Sequence, residues 1–421
     1  REGSTKFGAN NKWAWFPSVS AGWMISREDF MESQEVFDVL KFRAGFGITG
    51  SLPTDPYMSL ATYGTGAGAW NAYTGSWLTA TYGPNINPNP DLKWETSQNM
   101  NTGFEIGLFN RVKIDAEYFQ RKVSDLLFNF PLPPSTGTSF ISRNIADMKN
   151  EGFEVNISGD LIKKQNVTWS VFGNTTFYEN KVTRLPNSFT TGTFRFVEGI
   201  SAYTFYLRKF AGVDKTNGNA LWYVDEKDAN GNVIGQKTTS VYQDATLYVL
   251  DKNANPKFYG GFGTKFGYKG VNLAVNFGYQ FGGYMYDGVY AGLLQSGLGD
   301  VKNFHKDIYK TWTSTNVDAL LPAVDRQRDN NMSASDLFLI KSDYISIEDA
   351  SISYDFNKNF LPEGVSGLSL GIYANNLALW SKRKGMDPRL VSLGNSLGTN
   401  GQTLNKYGTQ RTVSFGLTVK F

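Results

Sequence analysis

Apolar and polar residues alternate with a period of two along much of the chain. Between 40 and 48, Leu40, Phe42, Ala44, Phe46 and Ile48 share one parity, while Lys41, Arg43, Gly45 and Gly47 take the other. Successive side chains of a strand point to opposite faces, so this pattern predicts a strand with one apolar and one polar face. From 271 to 282, Val271, Leu273, Val275, Phe277, Tyr279 and Phe281 oppose Asn272, Ala274, Asn276, Gly278, Gln280 and Gly282. The last ten residues set Val413, Phe415, Leu417, Val419 and Phe421 against Thr412, Ser414, Gly416, Thr418 and Lys420.

Read in this way, the sequence predicts eleven spanning strands, near 14–25, 39–50, 98–108, 112–126, 146–160, 167–184, 257–268, 271–282, 344–356, 367–377 and 411–421. The strand at 344–356 changes phase: Ile345 and Ile347 lie on one parity, and Ala350, Ile352, Tyr354 and Phe356 on the other. One extra residue near Glu348 or Asp349, a β-bulge, restores the register. Strands of about 11 residues suit a tilted membrane crossing, whereas strands of soluble proteins average about 5–6.

The connections alternate in length. Short ones fall at 26–38, 109–111, 161–166, 269–270 and 357–366, and long ones at 51–97, 127–145, 185–256, 283–343 and 378–410. Every short turn therefore lies at one end of the strands, as in outer-membrane barrels with periplasmic turns and extracellular loops. That parity assigns the apolar stretches Tyr203–Phe210 and Leu221–Val224 to an extracellular hairpin region over 185–256 rather than to further crossings.

Composition narrows the class. The 421 residues include no Cys, one His, 44 Gly, 31 Phe, 22 Tyr and 10 Trp. Without Cys, and with a single His, disulfide frameworks, thiol nucleophiles and poly-His metal sites are excluded. Net charge is only +3 with both signs dispersed, so no basic stripe points to nucleic acid. No apolar run approaches the roughly 18 residues of a membrane helix, and Leu337–Ile340 is among the longest. An all-β chain rich in rings and glycine remains, and a transmembrane antiparallel barrel satisfies its low hydropathy because barrel strands alternate.

Few motifs suggest chemistry. Gly45–Gly50 matches G-x-G-x-x-G but sits within an alternating strand followed by Ser-Leu-Pro, which does not open a helix. Gly394–Gly398 matches G-x-S-x-G, yet the only His, His305, precedes the Ser instead of following it. Glu226–Gly231 resembles a calcium loop, but Lys237 stands where a bidentate Glu belongs, so a turn at Asn230-Gly231 is the simpler reading. His305 and the Lys382–Lys384 cluster read as loop residues, and the sequons at Asn156, Asn166 and Asn174 lie on or beside strands. No catalytic residue, cofactor-binding residue or metal ligand is expected. A ring-rich loop, 57–82, offers Tyr63, Trp70, Tyr73 and Trp77 as candidates for substrate or partner contact, with Tyr57 and Tyr82 nearby. The polar strand positions Lys41, Arg43, Glu105, Lys113, Asp115, Glu117 and Glu154 are expected to line a wet lumen.

Several segments together resemble the SusC/RagA family of TonB-dependent transporters: Asn89–Glu95 (NPDLKWE), Asn150–Glu154, Phe210–Asp214, Pro256–Phe262, Tyr268–Gly270, Phe281–Gly283 and Gly385–Pro388 (GMDP). Their order and spacing fit across the chain. Ser342–Glu348 is also similar to a late-strand segment of the family, with acidic Glu348-Asp349 where the family pattern is more basic. The resemblance implies a 22-stranded plugged barrel that imports oligosaccharides or peptides, energised through TonB and closed by a SusD-like surface lipoprotein. It further implies that this chain is the C-terminal half, with the plug and the first eleven strands outside it. Its partners would be that lipoprotein, the TonB complex, the substrate and the lipid bilayer, with no nucleic acid and no cofactor. A surface glycan-binding β-sandwich and an outer-membrane barrel enzyme are the alternatives.

Overall fold

The computed structural model describes the chain apart from residues 54, 61, 67–69, 72–75, 78–80, 87, 137–139, 295–302, 325–330, 383–385 and 391–407, with backbone only at 62–66, 70–71, 76–77, 81–86, 131 and 134. Its main feature is an eleven-stranded antiparallel sheet. We number its strands β1 (Ser18–Met24), β2 (Phe37–Ser51), β3 (Glu95–Leu108), β4 (Val112–Pro131), β5 (Phe140–Lys164), β6 (Val167–Arg184), β7 (Phe258–Tyr268), β8 (Val271–Phe281), β9 (Tyr344–Asp355), β10 (Gly367–Ser381) and β11 (Thr412–Lys420). The spatial order is the chain order from β1 to β11, so each strand pairs only with its sequence neighbours. All eleven predicted strands are present. Among the described residues, no helix is long and apolar enough to cross a membrane.

The turns follow from local chemistry. Between β7 and β8 only Lys269 and Gly270 remain, with φ of 45° and 92°. Positive φ at both positions gives the twist that two-residue hairpins need, and glycine adopts it without strain. The three-residue connection between β3 and β4 also takes positive φ, 55° at Phe109 and 52° at Asn110. The expected bulge is also present. Ile347 pairs with Phe277 and Asp349 with Asn276, which leaves Glu348 as the extra residue, and on the other side Asn376 and Leu377 fall out of the ladder. The bulge returns Ile345, Ile347, Ala350 and Ile352 to one face.

Several boundaries differ from expectation: β1 starts at Ser18 rather than 14, and β5 runs to Lys164, into the turn predicted at 161–166. The connection predicted at 127–145 is mostly strand, because β4 runs on to Pro131 and β5 starts at Phe140. Polar contacts brace the two strands where the overrun begins: Asn144 Nδ2 donates to the Asp125 carbonyl at 2.8 Å, and the Asp147 carboxylate accepts from Asp125 N–H at 2.9 Å.

The chain divides into two compact units, Arg1–Asn156 with Tyr178–Ser188 and Val197–Ser201, and Ile157–Phe177 with Phe189–Phe196 and Ala202–Phe421. In the first, Phe7, Leu92 and Trp94 are buried together, with the Phe7 and Trp94 rings 4.6 Å apart. Asn89 holds this motif by donating to the Ser142 carbonyl at 2.7 Å. In the second unit, the connection between β6 and β7 carries seven short strands that join none of the eleven and form two small sheets of their own. They pack with the connection between β8 and β9: Asn331 accepts from Ala220 N–H and donates to the Ala323 carbonyl, and Tyr242 donates its hydroxyl to the Ala334 carbonyl.

Burial is inverted relative to a soluble domain. The largest buried side chains, such as Trp222 (1% exposed), Phe205 and Phe338, belong to the connections. The apolar rows of the strands are open, with Phe415 81% and Ile352 47% exposed. A monomer in water rarely exposes such a continuous apolar face, whereas a barrel wall presents it to lipid.

Candidate functional site: the polar strand face and its connections

The opposite face of the same strands holds the charges. On β2–β4 the register sets Lys41 and Asp115 opposite Glu105, and Arg43 and Glu117 opposite Gly103. Lys41 Nζ donates to Glu105 at 3.0 Å, and the Arg43 guanidinium meets Glu105 at 3.1 Å, Asp115 at 2.8 Å and Glu117 at 2.8 Å. Gly103 lies between Arg43 and Glu117 on β3, and a Cβ there would press against the Ala116 carbonyl at 2.5 Å. Five of the seven residues expected on this face are thus brought together. Lys113 and Glu154 make no ion pair among the described residues.

Further along, amides and hydroxyls share the face with Asp349 and Lys265. Asn276 Nδ2 donates to Asp349 at 2.6 Å, Asn174 Oδ1 accepts from Gly261 N–H at 3.1 Å, and Gln280 donates to Ser342 at 3.0 Å. Lys265 lies 5.7 Å from the Phe172 ring. Amides and hydroxyls both donate and accept, which suits hydrogen bonding to a neutral oligomer.

The bulge organises a second charged group. Arg389, on the turn after Asp387-Pro388, donates from Nη1 to both Glu348 oxygens at 3.0 Å and to Asn376 Oδ1 at 3.2 Å. Its Nε and Nη2 bind Asp387 at 2.9 and 2.7 Å. Burial pushes the Asp387 carboxyl upward, but hydrogen bonds from Arg389 and Thr409 outweigh it and hold the group below the usual carboxylate range. Asn376 takes φ of 52° at this point, a conformation asparagine tolerates better than most residues. Sequence reading noted acidic Glu348 as a departure and GMDP as a marker, and missed Arg389, the residue that joins them.

Of the ring-rich loop, Trp70 pairs directly with Trp77 in a two-strand ladder, and Tyr63 pairs with Pro84 in another. Tyr73 lies outside the described residues, as do Arg383, Lys384 and the Gly394–Gly398 motif. Gly45–Gly50 lies inside β2. Asn230-Gly231 forms a turn capped by Asp228, and His305 accepts from Asp307 N–H through Nδ1 while its ring meets Tyr290 edge-on at 4.9 Å.

An up-and-down sheet, apolar and exposed on one face and charged on the other, with short turns at one end, defines an outer-membrane β-barrel wall. The chain belongs to the family described as TonB dependent receptor-like, beta-barrel, whose model matches residues 1–377. It is 30% identical to TonB-dependent receptor P39 of Formosa agariphila over all of this chain and 44% of that protein, and 26% identical to TonB-dependent receptor SusC of Bacteroides thetaiotaomicron over all of this chain and 41% of that protein. A solved structure of the RagAB peptide transporter superposes with a TM-score of 0.83 at 24% identity, over 99% of this chain and 44% of that one. The chain therefore spans less than half the length of these relatives, and the likeness to RagAB shows the fold. The outer membrane is its location, and the β-sandwich alternative falls with the barrel match.

Proposed function

We propose that this chain forms part of the wall of an importer that takes up nutrient oligomers, oligosaccharides or peptides, energised through TonB and working with a SusD-like surface lipoprotein. The observation that carries the reading is the two-faced sheet: lipid-compatible outside, hydrogen-bonding and ionic inside. Family membership and the relatives' names support it; SusC is named a TonB-dependent receptor, and RagAB is described as a peptide transporter. The polar face supplies a wet path, and the connections 57–82 and 185–256, on the outer side, supply selectivity, with Tyr63, Trp70, Tyr73 and Trp77 touching substrate or lid.

Deleting the gene in its host, then measuring uptake of labelled oligosaccharide and peptide mixtures with and without an active TonB complex, tests this reading. One of the two mixtures is expected to depend on both. Uptake of both mixtures unchanged by the deletion would remove the proposal. Capture of a surface lipoprotein with the affinity-tagged transporter tests the lid.

A further inference from the structure

Strands β4, β5 and β6 run on beyond their apolar rows, and the residues of these extensions are ordered in tiers. On the apolar-facing parity, β4 runs Ile114, Ala116, Tyr118, then Gln120 and Lys122. Taken towards its start, β5 runs Ile157, Val155, Phe153, then Glu151 and Lys149. β6 runs Val171, Gly173, Thr175, Phe177, then Glu179 and Lys181. On each strand a ring is followed by an amide or carboxylate two residues on and a lysine four residues on. At about 3.3 Å per residue, each lysine stands ~13 Å beyond its ring along the strand.

Side-chain contacts tie the tiers together. The Tyr118 and Phe153 rings are 5.1 Å apart, and the Tyr118 hydroxyl donates to Glu151 at 2.8 Å. Lys149 Nζ binds Glu151 at 2.8 Å. Asn180 Nδ2 donates to Asn150 Oδ1 at 2.7 Å, which brings Lys181 level with Lys149 on the neighbouring strand. Burial alternates from Glu179 to Val182, exposed then buried, so Glu179 and Lys181 lie on the face opposite Asn180. Glu151 is engaged by Lys149 and Tyr118, while Lys122 and Lys181 make no ion pair among the described residues.

We infer that this collar binds the phosphorylated sugar headgroup of an outer-leaflet glycolipid. The apolar row below it faces acyl chains, and the long connections lie at the same end of the strands, which sets the collar at the height of outer-leaflet headgroups. Rings suit the acyl–sugar junction, where aromatic side chains gather in membrane proteins. Amide and carboxylate oxygens accept from sugar hydroxyls, and unpaired ammonium groups bind phosphate. Three lysines at one height on adjacent strands match an extended, multiply charged headgroup. The inference goes beyond the transport reading and does not depend on it.

The test uses the intact transporter purified from its native outer membrane. Binding of the host's purified glycolipid is titrated against wild type, K122Q/K181Q and K122R/K181R, with heat-modifiable gel mobility as the check on folding. The glutamine double variant is expected to bind about tenfold or more weakly, each lysine adding attraction to an anionic surface, and the arginine double variant to bind as wild type does. Enzymatically dephosphorylated glycolipid is expected to bind wild type as weakly as intact glycolipid binds K122Q/K181Q. Unchanged affinity in a folded K122Q/K181Q variant overturns the inference. So does equal affinity of wild type for phosphatidylglycerol vesicles, which would reduce the collar to a general anionic surface.

Discussion

Replacing Arg389 with Ala removes the cation that joins the β9–β10 bulge to the turn at Asp387. Asp387 keeps only 6% of its side chain exposed and Glu348 keeps 39%, so the two carboxylates respond differently. Glu348 rehydrates, and a partly exposed pair of this kind contributes roughly 0.2–1 kcal/mol. Asp387 is left charged and buried, and breaking such a pair from one side costs about 3–5 kcal/mol. The expected loss for R389A is therefore about 3 kcal/mol or more, nearly all from Asp387. Adding Asp387→Asn should recover about 2 kcal/mol, because the stranded charge is gone. Urea unfolding of the intact protein folded into lipid vesicles measures both, and limited proteolysis after 382 reports release of the connection. The folded-state pKa of Asp387 is depressed, so its stabilisation is complete above the ordinary value of about 3.9 and fades as pH falls through the lower folded value. The wild type should lose stability over that acid window, and R389A/D387N should lack this component. Equal stability of R389A and wild type, or no rescue by D387N, would refute the account.

Three more outcomes are expected of the wall. Deleting Glu348 removes the bulge and sends Tyr344–Ile347 to the wrong faces, so the intact protein should fail to reach its heat-modifiable folded form, whereas Glu348→Gln should assemble. Phe262 stacks on Phe277 at 4.7 Å on the apolar face, and Phe262→Lys should cost about 2–4 kcal/mol in vesicle-based urea titration; a cost near zero would place that face out of lipid. Replacing Trp70 and Trp77 with Ala should weaken oligomer uptake without lowering the amount of protein in the membrane, and unchanged uptake removes that loop from the site.

The strands were legible because a period of two survives wherever one face meets lipid and the other water. The extra residue at Glu348 was legible for the same reason, since an inserted residue is what shifts the phase within a single apolar run. The overrun of β4 and β5 was not, because Leu126, Leu127 and Phe128 follow one another without alternation and the prolines at 131, 133 and 134 read as a turn. The packing of 185–256 with the β8–β9 connection left no trace either: Ala220 and Asn331 meet across 111 positions of sequence, and a buried Asn side chain serving two backbone groups has no periodic signature. Arg389 was hidden similarly. Its partner Glu348 is 41 positions away, and nothing near either residue announces the other.

The strictly sequential order of the sheet bears on how such a protein can change over time. Because each strand pairs only with its neighbours, every connection closes a ladder whose two sides it alone joins. Lengthening a flexible connection costs only about 0.6 kcal/mol per doubling. The two residues between β7 and β8 and the stretch from 185 to 257 between β6 and β7 thus differ by roughly 3 kcal/mol of closure entropy, less where the longer one folds on itself. Insertion, deletion or exchange of whole outer segments is therefore cheap for the wall. A lineage can replace what grows from one rim of the sheet while the ladders beneath stay as they were.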